Sequence, residues 1–463
     1  MDRRRRATAL LVAGTFFMEN LDGTIIATAA PAMARAFGVQ SSDIGIAITA
    51  YLLTMAALIP LSGWIAHRFG VRRVFLTAIT VFTVASALCA AAPTLPMLVA
   101  ARVLQGVGAA MMVPVGRLAV LTGIDRSEVI RAIALLTWPA LVAPVIAPAL
   151  GGFFATYLGW EWIFLVNVPL GAVAFVVALR VVPTGDGVRP AGLDWWGLVL
   201  TCTAVAALVT TADLLAAEAD RRGLTAALGA AGVVLLVLAV RHLLRAPHPL
   251  LDLTLLRIRT FRVPHGSGGL YRLTISAVPF LLPLMFQDAF GWSAVQAGSM
   301  VLFVFLGNVA IKPATTWMLR TFGFRRVLVA ATSGAALSMV LAGSLTAGMP
   351  LWLVAAALTF GGVARSIGFT AYATITFADI DAPRVSQANT LSATIQQIAA
   401  GFGVAVGAVA LRLGDAVTGT GGDPAAVGPY RFAFFVLAAL TVIAVVDAVR
   451  LDPAAGSSLR PVR

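Results

Sequence analysis

A chain of 463 residues that is 60% apolar and only 11% charged cannot present the polar surface a water-soluble protein of this length needs. Its formal net charge of +13 invites a nucleic-acid partner only until the positions of the basic residues are considered. The two cysteines, Cys89 and Cys202, lie in separate apolar runs without a CxxC or CxxH companion, so neither a disulfide framework nor a zinc site is indicated.

Apolar stretches of about twenty residues, enough for a helix to cross a hydrocarbon core of roughly 30 Å, recur along the whole chain. Fourteen are predicted, over 8–31, 44–65, 74–92, 95–116, 133–156, 162–182, 196–214, 224–241, 267–287, 294–318, 327–347, 351–376, 390–411 and 431–449. They are apolar all round, whereas a lipid-facing strand needs alternation and a closed barrel, so an all-α membrane fold is expected. Six spans fill residues 1–182 and end at the Pro- and Gly-bearing stretch PTGDGVRP, 183–190. Two more spans and the leucine- and arginine-rich segment RHLLRAPHPLLDLTLLRIRTFR, 241–262, occupy 183–265. That segment has the pattern of an amphipathic cytoplasmic linker. Six spans and a short tail complete 266–463.

A nine-residue signature occurs twice, as HRFGVRRVF at 67–75 and RTFGFRRVL at 320–328. Both copies put Arg-Arg one residue past Phe-Gly between long apolar runs, which marks an internal duplication. Aligning them sets the loop between spans two and three opposite that between spans ten and eleven, an arrangement of six plus two plus six. Assigned to loops by parity, with the span-end residues Arg180 and Arg241 counted with the loops they adjoin, 24 of the 33 basic residues fall on one side, 5 on the other (Arg35, Arg221, Arg222, Arg412 and Arg431) and 4 inside spans. The positive-inside rule then predicts an inner-membrane protein with both termini cytoplasmic, and argues against a DNA-binding surface. No small-residue cleavage site follows Arg3–Arg6, so the first span reads as an anchor.

Several motifs resemble the major facilitator superfamily and, within it, the fourteen-span drug:proton antiporter family. LDGTIIATAAP (21–31), GWIAHRFGVRR (63–73), ARVLQGVGAAMMVP (101–114), APVIAPALGG (143–152) and GWEWIFLVNVPLG (159–171) cover the first 171 residues densely. In the second half the likeness rests on FLLPLMFQDAFGWSAVQAG (280–298) and the repeated loop. The resemblance implies two six-helix bundles with two extra spans, a monomer, and a proton gradient as energy source without a cofactor. It also implies gating roles for Gly63, His67, Arg68, Gly70, Arg72 and Arg73, whose glycines would allow close helix approach. Two departures stand out: His67 occupies the motif's aspartate position, and Ala143 and Ala147 replace fifth-span glycines. A neutral imidazole lacks a carboxylate's attraction for an arginine or a helix N-terminus. Alanine still permits close packing, so Pro148, Gly151 and Gly152 remain gating positions, with Pro139 and Pro144 as kink elements.

Charges at membrane depth are costly unless paired or hydrated, so each is a functional candidate. Glu19 and Asp22, three residues apart on one helix, share a face and raise each other's proton affinity, which suits proton coupling. The alternative is a carboxylate bonded to backbone or hydroxyl groups. Arg102 lies about 10 Å into span four at a 1.5 Å rise per residue, calls for a carboxylate partner, and matches the basic residue of the family motif. It serves either as a competitor with the proton or as a permanent ion pair, with Gln105 one turn away to orient it. Lys312, the only lysine in the chain, is inside span ten; it lines a substrate cavity or snorkels to the interface. Arg365 lies mid-span, and Arg272 near the end of span nine is a substrate contact or an interfacial residue. Asn308, Gln396, Gln397 and Asn389 orient a ligand or bond between helices. Trp138, Trp160 and Trp162 fit an interfacial aromatic belt.

No GxxxxGK[ST] loop and no HExxH sequence is present, so neither an ATP-driven pump nor an enzyme is expected. The expectation is a proton-coupled antiporter that exports small organic molecules, as in multidrug efflux, by alternating access. A rival reading is an exporter of an organic anion or anionic metal chelate held by Lys312, Arg365 and Arg272, since fixed cations attract anions. A remote one is a membrane sensor or scaffold that does not transport. The partners expected are the bilayer, protons and the small organic substrate.

Overall fold

The computed structural model describes residues 3–121, 126–182, 192–216, 222–247, 249–376, 379–381, 384–423 and 425–452. The boundary stretch 183–190 lies outside them. All regular structure among them is helical, as a chain in lipid requires when every backbone N–H and C=O must be satisfied within its own segment.

The N-terminal helices are α1 (Arg3–Phe37), α2 (Gly45–Phe69), α3 (Val71–Ala90), α4 (Leu95–Leu121), α5 (Arg126–Tyr157), α6 (Trp162–Leu165) and α7 (Asn167–Val181). Then come α8 (Trp195–Ala216) and α9 (Arg222–Leu243), the short α10 (Arg259–His265), α11 (Ser267–Leu284), α12 (Ala294–Ala310) and α13 (Lys312–Phe322). The chain closes with α14 (Phe324–Gly343), α15 (Leu351–Thr376), α16 (Val385–Thr418) and α17 (Val427–Val449). Twelve helices among the described residues are long and apolar enough to cross a membrane, and Val142–Tyr157 and Trp195–Leu208 are shorter apolar stretches.

The packing repeats. In the first half α1 lies on α5 and α7, α4 on α2 and α3, and α3 on α7. In the second half α11 lies on α16 and α17, α15 on α12 and α14, and α14 on α17. The duplicated signatures occupy the same corner of each half, and each turns at a glycine of positive φ, Gly70 at 86° and Gly323 at 80°. Only glycine adopts that conformation without strain, which explains the invariant Phe-Gly step of the two copies.

The halves meet along α2 with α16, α5 with α12, and α1 with α11. Side-chain bonds across this seam gather where α1 ends and α2 begins. Gln287 Nε2 donates to the Thr28 carbonyl at 2.9 Å, Thr49 Oγ1 to the Gly401 carbonyl at 3.3 Å, and Arg412 pairs with Asp43. Backbones touch there as well: a Cβ on Gly298 would strike the Pro148 carbonyl and one on Gly152 the Ala294 carbonyl, while within the first half a Cβ on Gly151 would lie 2.7 Å from the Ile25 carbonyl of α1. The halves are thus clasped at the end that carries Asp43 and Arg412.

Helices α8 and α9 pair with each other, and α8 lies over α2 and α16. Asp194, just before α8, joins their base: Oδ1 accepts from Gly197 N–H at 2.8 Å and bonds His242 Nε2 at 2.7 Å, and Oδ2 accepts from Leu250 N–H at 3.1 Å. Burial pushes this carboxyl up, but the hydrogen bonds from Gly197, His242 and Leu250 outweigh it and hold Asp194 below its ordinary value. The predicted linker folds onto α16, its Leu251, Leu255 and Phe261 packed with Leu243, Ala388 and Leu391. Asp252 fixes it by accepting from Thr254 N–H at 3.0 Å and Arg384 Nη2 at 2.8 Å.

Several expectations change. Predicted span ten is not continuous: Lys312 opens α13 after a break at Ile311, and Pro313 follows it at the start of the new helix, where a missing N–H costs nothing. Predicted span six is divided at Val166 into α6 and α7. Trp160 does not belong to an interfacial belt. It is buried, edge-on to Phe37 at 5.2 Å and to Phe164 at 6.4 Å, whereas Trp162 is exposed. The side chains of Trp138 and Pro139 lie outside the described residues.

Candidate functional site

Two polar clusters stand in the membrane-embedded core, one in each half. The first is built on α1, α4 and α7. Gly106 and Gly108 bring α4 against its neighbours: a Cβ at Gly106 would lie 2.9 Å from the Tyr51 carbonyl of α2, and one at Gly108 2.7 Å from the Phe82 nitrogen of α3. This approach delivers Arg102 and Gln105, one turn apart, to Asp22 of α1.

Asp22 is fully enclosed by donors. Arg102 Nη1 lies 2.5 Å from Oδ2, and neither side chain has exposed surface. Oδ1 accepts from Gln105 Nε2 at 2.8 Å and Asn167 Nδ2 at 2.7 Å. Gln105 also accepts from Arg102 Nη1 at 2.6 Å and donates to Ser86 Oγ at 2.8 Å, while Arg102 Nε reaches the Ala47 carbonyl at 3.4 Å. The Tyr51 ring packs on the guanidinium at 4.1 Å to its centroid, an additional attraction for a cation removed from water. A buried ion pair is tolerated only when such bonds satisfy its remaining lone pairs and protons. One gap remains, because Arg102 Nη2 is buried without a hydrogen-bond partner.

Glu19 stands one turn before Asp22 but outside this network. Its Oε2 is buried with no hydrogen-bond partner. The charges acting on it through space are those of Arg117 and Asp22, and the Arg117 guanidinium sits above the Phe16 ring at 5.1 Å. The two carboxylates therefore differ in kind: Asp22 is saturated with donors, and Glu19 is not.

The second cluster gathers Arg272 of α11 and Arg365 of α15 at Phe369, with Lys312 of α13 at the neighbouring Thr370. Arg272 lies over the Phe369 ring at 4.8 Å and Arg365 at 5.3 Å, with Phe305 on Arg365's other flank at 5.5 Å. Lys312 Nζ donates to Thr370 Oγ1 at 3.0 Å, one residue further along α15. Arg365 repels both of the other cations, and its Nε and Nη1 are buried without partners. Among the described residues no carboxylate is paired with any of the three. A cavity of about 30 Å³ adjoins Arg272 and is lined by His265, Phe369, Tyr372 and Gln396. A second, of about 20 Å³, reaches Arg365 beside Val304 and Leu358. Each has room for about one water molecule.

Of the remaining polar candidates, only Gln396 borders the second cluster, in the cavity beside Arg272. Asn308 offers its main-chain carbonyl to Ser366 Oγ at 2.7 Å, Gln396 donates to Ser392 in its own helix, and Gln397 reaches across the seam to Met55 Sδ at 3.6 Å. Asn389 is exposed. In the loop signature Arg72 donates to the Leu179 carbonyl at the end of α7, and Arg68 and Arg73 are on its surface. His67 Nδ1 donates to the Gly63 carbonyl of its own helix at 2.7 Å. Close helix approach is absent at Gly63, where a Cβ would meet nothing within 4 Å.

Asn167, Ser86 and Tyr51 belong to the first cluster and were not singled out from the sequence. Asn167 is a polar residue at the break between α6 and α7, and a break inside an apolar run is the signal that would have found it.

The chain matches the Major Facilitator Superfamily model over residues 12–254 and 266–461. It is 37% identical over 404 residues to MdtD of Klebsiella pneumoniae subsp. pneumoniae, a protein named for multidrug resistance; the match covers 87% of this chain and 85% of that protein. Among solved structures, a POT family transporter in complex with 5-aminolevulinic acid superposes with a TM-score of 0.70 at 14% identity, covering 98% of this chain and 97% of its own. A D-xylose-proton symporter gives 0.69 at 13% identity, covering 97% and 98%. Duplicated helical halves, a polar centre in each and these matches together assign the chain: it belongs to the Major Facilitator Superfamily.

Proposed function

We propose that this protein is a proton-coupled antiporter that exports small organic molecules by alternating access of its two halves, with multidrug efflux as its physiological class. The observation that carries the reading is the contrast between Asp22 and Glu19. Asp22 is held by Arg102, Gln105 and Asn167, while Glu19, one turn away, has a buried oxygen without a hydrogen-bond donor. A proton added to Glu19 satisfies that oxygen; one added to Asp22 releases Arg102. Either event changes the charge of the first cluster, and so links protonation to conformation. The seam clasped beside Asp43 and Arg412 agrees with a state open toward the opposite end, where the duplicated loops stand. On the positive-inside reading that end is cytoplasmic, as are both termini, in the inner membrane. Fourteen spans follow when the shorter apolar stretches of α5 and α8 are counted, and the protein works as a monomer.

The test is reconstitution in liposomes with an imposed pH gradient, following proton flux on addition of a lipophilic cation. Flux in the wild type that is lost in both Glu19→Gln and Asp22→Asn supports the reading. Flux unchanged in both variants overturns it.

A second reading has its own support in the Arg272, Lys312 and Arg365 cluster. Two guanidiniums over one phenylalanine and a lysine at the next residue, with buried guanidinium nitrogens of Arg365 unpartnered, favour an organic anion or an anionic metal chelate as substrate. Proton flux evoked by a polycarboxylate and lost in Lys312→Ala or Arg365→Ala moves the substrate to this class.

A further inference from the structure

The two copies of the loop signature are used differently, and the difference leaves a charged cleft. In the first copy Arg72 is committed to the Leu179 carbonyl at the end of α7. Its counterpart by position is Arg325, and the counterpart of α7 is α17. The carbonyl end of α17 is already served: Arg259 of α10 donates to the Arg450 carbonyl at 2.9 Å. Arg325 and Arg326 make no hydrogen bond and no ion pair among the described residues. They border a cleft of about 710 Å³ that continues over Val329 and Ala330 to Val449 at the end of α17.

The surface beyond the cleft is apolar and directional. From Arg326 the exposed face of α14 runs through Ala330 and Ser333 to Leu337 and Val340, spaced three and four residues apart. Leu337 and Val340 expose about half or less of their surface, and Val446 and Val449 of α17 lie exposed on the adjoining helix. The site therefore offers two guanidiniums at one end and a hydrocarbon-compatible track below them.

We propose that this cleft binds an anionic phospholipid, its phosphodiester held by Arg325 and Arg326 and an acyl chain laid along the exposed face of α14. Guanidinium pairs donate bidentately to phosphate oxygens, and basic pockets between membrane helices suit anionic headgroups. A soluble phosphate satisfies only the arginines; the apolar track commits the site to a lipid. The first copy is not equivalent, because Arg72 is spent on its own bundle.

The experiment uses the full-length protein, delipidated in detergent and titrated with phosphatidylglycerol, with phosphatidylcholine and inorganic phosphate as comparison probes, bound lipid being counted by native mass spectrometry. Phosphatidylglycerol is expected to bind the wild type in preference to phosphatidylcholine, and millimolar inorganic phosphate is expected not to displace it. The double variant Arg325→Gln/Arg326→Gln should bind about 25-fold more weakly, each arginine contributing about a factor of five. A double variant of equal charge change, Arg68→Gln/Arg320→Gln, should bind as the wild type does. Equal retention by the Arg325/Arg326 variant, equal binding of phosphatidylcholine, or displacement by inorganic phosphate overturns the proposal. Should the double variant not fold, photo-crosslinking of the wild type with a chain-labelled phosphatidylglycerol decides instead: adducts on α14 between 326 and 340 support the site, and adducts confined to other helices refute it.

Discussion

Arg102 of α4 and Asp22 of α1 lie 2.5 Å apart with both side chains wholly buried, although 80 positions separate them in the chain. Removing one partner strands the other charge in a low-dielectric interior. Arg102→Leu is therefore expected to destabilise the protein by about 3–5 kcal/mol, and the double variant Asp22→Leu/Arg102→Leu by clearly less. Thermal unfolding of the four proteins of this cycle in detergent measures both. Additive losses would show that the two groups are not energetically coupled.

Gln105 and Asn167 carry no charge, yet both donate to Asp22 Oδ1. Replacing either with leucine leaves the ion pair but removes one bond to a buried carboxylate, with an expected cost of about 1–3 kcal/mol each. The same unfolding measurement applies, and a cost for either variant as large as that of Arg102→Leu would contradict the ranking.

At the clasped end, the mostly buried pair Asp43 and Arg412, 25% and 19% exposed, should contribute only about 1 kcal/mol to global stability, because the desolvation of both charges offsets most of their attraction. Its expected effect is instead on access to the seam. Arg412→Ala should raise thiol labelling of Gln287→Cys, and the reversed pair Asp43→Arg/Arg412→Asp should restore protection. No change in labelling with either variant would place the latch elsewhere.

Gly298 and Pro148 give a steric prediction for the same seam. Gly298→Val has no room for its Cβ against the Pro148 carbonyl, so closure at this end should cost about 1–3 kcal/mol. Labelling at Gln287→Cys should increase here too, and raising the salt concentration should leave that increase unchanged, because the cause is steric.

The base of the α8–α9 pair is the place where pH should act on structure. Asp194 has a folded value below its ordinary one, so it binds fewer protons folded than unfolded at mildly acid pH. The stabilisation it supplies is complete above the ordinary aspartate value of about 3.9 and is lost as pH falls through the lower folded value. Amide exchange at Gly197 and Leu250 should accordingly be slow at neutral pH and rise only in that acid window. Asp194→Asn should exchange faster at neutral pH.

The helical class and the duplication were legible because both are written locally. Lipid length and composition announce helices, and HRFGVRRVF and RTFGFRRVL need no partner to be recognised. The break before Lys312 was not legible, since the run from Ala294 onward stays apolar across it; the visible clue is Pro313, which cannot donate to the preceding turn. Arg102 demanded a carboxylate by its depth alone, but which one, and that Asn167 joins it, depends on how α7 packs beside α1. Trp160 misled for the same reason: its position near a helix end suggests an interface, while its neighbours Phe37 and Phe164 enclose it. At His67 the sequence showed what was lost, a carboxylate, but not what the imidazole does in its place.

The contacts of Gly152 and Gly298 with main-chain carbonyls have a further consequence. A long side chain ordered at an interface loses rotamer freedom worth up to about 2 kcal/mol, whereas glycine has none to lose. Where α5 meets α12, joining and parting exchange one backbone surface for another with no rotamers to freeze. This stretch of the seam is consequently a steric bearing rather than an adhesive, and the directional grip is left to the few side chains around Asp43 and Gln287.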